Sequence, residues 1–187
     1  MEAVRSSVAK RAGLGQCGMT LVELMTTVAV AAVLVGVGLP SFTALQQRQS
    51  VQRQMEALED AFRLARTEAT LRGQGVTLCA RDDSLGDETH QCAQTGQRWS
   101  GWLVFVDGEE RGQVDEGDRL LLVQQPLKGD PQVRGTVRSI TFGRNGLAMS
   151  AASRFGFFHG EQPEAHDTLL CVNKLGRLRR SQGLRCG

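Results

Sequence analysis

An α+β fold is predicted for this 187-residue chain on two observations. Apolar residues run almost unbroken from about 19 to 39 and then recur at three- and four-residue spacings to about 72, which is a helical period. From residue 76 onward they fall into short β-rich runs divided by Gly, Pro and Asp. A long N-terminal helix packed on an antiparallel β-sheet domain follows. No internal repeat or low-complexity linker interrupts the chain, so the part beyond residue 39 is one domain of roughly 150 residues.

Residues 1–18 form a basic leader carrying Arg5, Lys10 and Arg11 and ending on Gly18. The segment Met19 to Leu39 has Glu23 as its only charge, and at roughly 1.5 Å per residue it spans a bilayer core of about 30 Å. A transmembrane helix over 19–39 is therefore expected. Even on a lenient scale an acid at mid-membrane costs on the order of 2.5–3.5 kcal/mol, so Glu23 calls for a partner charge. Three other readings compete. A secretory signal peptide would carry its small residue after the apolar run, whereas Gly18 precedes it. A plain signal anchor explains the hydrophobicity and leaves Gly18 and Glu23 unaccounted for. A lipoprotein cysteine at Cys17 would need an apolar stretch before it, and there is none.

The helical pattern continues through Leu45, Val51, Met55, Leu58, Phe62, Leu64, Ala65 and Leu71, with Gln46, Gln47, Arg48, Gln52, Arg53, Glu56 and Glu59 between them on the expected polar face. Gly73 and Gly75 end it. One helix is thus predicted from about 19 to 72, its second half, 40–72, lying in the globular domain 40–187. Strands are predicted at 76–79, 102–106, 120–123, 137–142, 155–158 and 168–172 in the β-rich part, 73–187.

The run Gly18-Met19-Thr20-Leu21-Val22-Glu23-Leu24 resembles the class III signal of type IV pilins and pseudopilins. That resemblance implies a prepilin peptidase cutting after Gly18, methylation of the new terminus at Met19, and a filament-assembly role for Glu23, neutralising the terminal ammonium of a neighbouring subunit. The physics agrees, because opposite charges attract strongly in an apolar bundle and a polar group fixes the register of otherwise featureless helices. Pro40 falls where many pilins bend this helix. The order Trp99-Ser100-Gly101-Trp102-Leu103-Val104-Phe105-Val106-Asp107, then Ile140-Thr141-Phe142 leading to Asn145-Gly146, then Gly176-Arg177, resembles the GspH/FimT branch of minor pilins over nearly the whole chain. A pilin-like architecture is implied, with other pilins or pseudopilins as partners. The implied location is the inner membrane, single-pass with a periplasmic domain, and extracellular once assembled in a pilus.

Five cysteines bear on the compartment. Cys17 leaves with the leader if cleavage follows Gly18, and Cys79, Cys92, Cys171 and Cys186 remain. Four thiols allow three pairings. Cys79–Cys92 and Cys171–Cys186 are favoured because each closes a short local loop and the periplasm is oxidising. Zinc is the alternative, but no CxxC spacing occurs and His90, His159 and His166 show no ligand pattern with the cysteines. Neither a metal nor a cofactor is expected. Enzymatic readings also lack support: Asp82-Asp83 and Glu109-Glu110 sit in Gly-flanked loop sequence, and no nucleophile constellation or phosphate-binding glycine loop is present.

The formal net charge of +2 conceals an asymmetry: ten acids against Arg98 and Arg111 from Asp82 to Asp118, but Lys174, Arg177, Arg179, Arg180 and Arg185 with no acid from Cys171 to the end. Clustered guanidinium groups suit phosphate. Gly176-Arg177-Leu178-Arg179 resembles the G-R-x-R tail of FimT-like pilins, for which DNA binding is implied. A solvated basic edge strand is the ordinary alternative. The expected function is a minor type IV pilin that binds DNA through Lys174, Arg177, Arg179, Arg180 and Arg185 for uptake in natural transformation. The rival is a structural minor pseudopilin, GspH-like, of a type II secretion system.

Overall fold

The computed structural model describes residues 18–86, 90–94, 98–108, 112–126, 131–159, 168–183 and 185–186, without the side chains of 37–41, 44, 131 and 159. Residues 1–17 of the basic leader lie outside them. Helix α1 runs Leu21–Arg72, and eight strands follow: β1 Val76–Ala80, β2 Trp102–Val106, β3 Arg119–Gln124, β4 Pro131–Gly135, β5 Ser139–Phe142, β6 Ser153–His159, β7 Thr168–Val172 and β8 Leu178–Ser181. Contacts divide the chain into two units, one ending at Phe42 and one covering Thr43–Gly187.

In the first unit α1 starts at a cap. The Glu23 amide donates to Thr20 Oγ1 (3.3 Å) and the Leu24 amide to the Thr20 carbonyl (3.1 Å), so Thr20-Leu21-Val22-Glu23 has the sequence of a capping box with Glu23 in the first turn. Thr26 and Thr27 return their hydroxyls to the Glu23 and Leu24 carbonyls (both 2.9 Å), which satisfies them within the helix. Leu21, Val22, Val33 and Leu34 are exposed. Part of the 19–39 segment lies outside the described side chains, and among the described residues no helix is long and apolar enough to cross a membrane.

The second unit is an α+β domain with two antiparallel sheets, ordered β3-β2-β1-β5 and β4-β6-β7-β8. Both close over one face of α1. Met55, Leu58, Phe62, Ala65 and Ala69 are buried, and Phe62 meets Phe142 of the first sheet (6.3 Å between centroids) and Phe155 of the second (5.3 Å). Trp99 stands edge-on to Phe155 at 4.9 Å and donates its indole N–H to the Val137 carbonyl at 2.9 Å. The far side of the first sheet has its own cluster of Cys79, Cys92, Leu103 and Phe105, so every residue of β1 is buried.

The expected helix stripe is corrected at its ends and on its polar side. Leu45 and Leu71 are exposed, whereas Glu59, read as polar surface, is 5% exposed. Two strands escaped the sequence reading. β4 opens on Pro131 and contributes Val133 to the core; Pro at a strand's first position loses no ladder bond. β8, with the sequence LRRS, is not among the predicted strands and enters only as the basic edge strand set against the DNA-binding reading.

Candidate functional site

The basic C-terminal residues are positioned by the β7–β8 hairpin. Its turn begins at Asn173, whose Oδ1 accepts from the amides of Leu175 (3.0 Å) and Arg177 (2.9 Å), while the Gly176 amide donates to the Asn173 carbonyl (2.9 Å). Side-chain bonds of this kind are why Asn favours turns. Gly176 adopts φ +68°, and a Cβ there would lie 2.9 Å from a Phe142 ring carbon and 3.0 Å from the Gly146 carbonyl oxygen. Its own carbonyl accepts from Arg66 Nη1 of α1 at 3.0 Å. The glycine before Arg177 is therefore required for backbone conformation and for close packing.

Register then sorts the arginines. Leu170 pairs with Arg180, Cys171 with Arg179 and Val172 with Leu178, so alternation puts Leu178 and Arg180 on the core side and Arg179 on the outer side. Arg180 reaches α1: its Nε donates to Glu59 Oε1 at 2.6 Å and Nη2 to Glu59 Oε2 at 3.0 Å. Accepting these bonds, the carboxylate holds the guanidinium protonated even above its ordinary range. Arg180, expected in the DNA-binding group, is thus bonded to a buried acid on the side of the strand away from Arg179.

On the outer side Cys171 sits between Arg179 of β8 and Arg154 of β6, which are its two cross-strand partners. Arg177 precedes β8, and Arg185 follows it, with its carbonyl accepting from Ser181 Oγ at 3.1 Å. These four arginines and both cysteines of the Cys171–Cys186 disulfide line one open cavity of about 800 Å³, with no acid lining it among the described residues. Lys174, exposed at the turn tip, does not line it. Arg154 was missed because it stands alone in sequence, between Ser153 and Phe155; only strand pairing brings it here.

The cysteines are joined as Cys79–Cys92 and Cys171–Cys186, with Cα atoms 5.7 and 5.9 Å apart, which is the local pairing expected from the spacing. The first bridge is buried and the second is exposed at Cys186. Among the described residues no group of three His, Cys, Asp or Glu side chains is placed to hold a metal ion. Gly18, Met19 and Glu23 are exposed at the start of the N-terminal unit.

Comparison with known proteins gives concordant results. The model of a family described as type II transport protein GspH matches residues 54–176. The fold is similar to crystal structures of the type IV minor pilin FimU of Pseudomonas aeruginosa (strain PAO1). One is 16% identical, covers 73% of this chain and 92% of that one, and has a TM-score of 0.56. The other, in a second crystal form, is 16% identical with coverages of 71% and 91% and a TM-score of 0.50. At this identity the likeness concerns the fold. No curated protein matches the sequence.

Proposed function

Because the chain belongs to the GspH family, whose members are minor pilins and pseudopilins, we propose that it is a minor type IV pilin whose outer basic face captures DNA for uptake in natural transformation. The observation that carries this reading is the convergence of Arg177, Arg179 and Arg185 on one cavity. The guanidinium fork meets phosphate oxygens in pairs, and several together release counterions on binding. No Tyr occurs in the chain and the basic run has neither Phe nor Trp, so contacts are directed at the backbone and are largely independent of sequence.

The N-terminal unit serves assembly in this reading. A prepilin peptidase cuts after Gly18, Met19 is methylated, and segment 19–39 holds the subunit in the inner membrane, with the domain in the periplasm, before it joins other pilins. The exposed Leu21, Val22, Val33 and Leu34 need an apolar surround, which lipid or neighbouring helices provide. Glu23 then neutralises the ammonium of a neighbouring subunit.

A mobility-shift titration of the full chain in non-ionic detergent, at two salt concentrations and beside Arg177→Gln/Arg179→Gln, tests the proposal. Binding that vanishes in the double variant and follows a log–log salt slope near −3 on duplex DNA, as about three neutralised phosphates require, is the expected result. The description of the matching family as a type II transport protein favours a second reading, a structural pseudopilin whose basic face meets another subunit. A folded wild-type chain that binds no DNA would select it.

A further inference from the structure

The basic face has a shape that its sequence does not suggest. Arg179, Cys171 and Arg154 are consecutive partners across β8, β7 and β6, so they form a row perpendicular to the strands. Neighbouring strands lie about 4.8 Å apart, which places Arg154 and Arg179 about 10 Å apart at the backbone. One strand of nucleic acid presents a regular row of phosphates, and at this separation the two arginines can meet different phosphates of one backbone. The row is rigid at its far end as well. The Arg154 amide donates to Thr136 Oγ1 at 3.1 Å and its carbonyl accepts from the Thr136 amide at 3.0 Å, so the side chain projects into the cavity from a strand pinned on both backbone groups.

We propose that Arg154 is a further phosphate contact of this face, and that a bound phosphodiester backbone crosses the strands from β8 over the Cys171–Cys186 bridge to β6 instead of following the C-terminal segment through Lys174. This rests on the reading of the face as a DNA site and gives that site a direction. Two routes are possible from the ends of the basic run. One continues along the chain to Lys174 at the turn tip, outside the cavity; the other leaves the chain and reaches Arg154 inside it. A path through the cavity keeps the backbone among arginines throughout.

Arg154→Gln and Lys174→Gln remove the same charge and separate the routes. Binding of a short fluorescent oligonucleotide, single-stranded and duplex, is measured on the full chain in detergent. Arg154→Gln is expected to weaken binding about five- to tenfold, the scale of one charge-assisted contact, and to flatten the salt slope by about 0.7 on the single strand or 0.9 on the duplex. Lys174→Gln is expected to stay within about twofold, and Arg154→Lys, which keeps the charge without the fork, to restore the salt slope and part of the affinity. An effect of Lys174→Gln equal to or larger than that of Arg154→Gln overturns the path while leaving the DNA reading intact. A folded wild-type chain that binds neither oligonucleotide overturns both.

Discussion

Replacing Arg180 by Gln separates stability from ligand binding on a single strand. Glu59 is 5% exposed and gives both carboxylate oxygens to Arg180, whose side chain is 46% exposed. Breaking a fully buried pair by removing one partner costs about 3–5 kcal/mol. Two features here reduce that. Arg180 is half in water, which screens the attraction, and Arg63 Nη2 already stands 3.5 Å from Glu59 Oε2 and takes up part of the charge. The expected loss is about 2 kcal/mol, which for a domain of this size corresponds to a fall in Tm of roughly 4–8 °C. Thermal unfolding followed by circular dichroism measures it, and replacing Glu59 by Gln in the same background should recover part of the loss, as a double-mutant cycle would register. DNA binding by Arg180→Gln, measured below its Tm, should stay within about twofold of the wild type, since one rim charge on the far face is lost. An Arg180→Gln variant of unchanged Tm whose DNA binding collapses as in Arg179→Gln would refute the assignment of the two arginines to opposite faces.

Three further outcomes follow from the hairpin and its bridge. Gly176→Ala forces a side chain into φ +68° and against the Phe142 ring, so it should destabilise by more than about 1 kcal/mol, seen as a lower urea midpoint at unchanged m-value. Replacing Cys171 and Cys186 together by Ser should cost up to about 3 kcal/mol through the chain-entropy effect of a loop of 15 residues and remove Arg185 from the cavity. Equal binding of DNA by that variant and the wild type would show that Arg185 takes no part. Under mild reductant the exposed bridge at Cys186 should be alkylated before the buried Cys79–Cys92 bridge, which peptide mass mapping resolves.

What the sequence by itself determined about this protein is local. The capped start of α1 rests on Thr20 and Glu23, three residues apart; its end rests on Gly73; the disulfides join cysteines separated by 13 and 15 residues. Period and turn chemistry also located the strands with several apolar residues, because such residues must be buried whatever they pack against. What only the tertiary structure decided is pairing. A strand's period is two, so which of Arg179 and Arg180 faces the core depends on the register of β8 against β7. Alternation in the run 177–180 puts Arg177 and Arg179 on one face with Leu178 opposed, and the register seats Leu178 and Arg180 on the core side. Arg180 meets Glu59, 121 residues away on α1, which is buried because the helix stripe turns it toward the sheets. Arg154 joins Arg179 for the same reason, since β6 and β8 both pair with β7. The character of each residue was legible from its neighbours in sequence, while its company was set by strand pairings between distant segments, and the basic face is a product of that company.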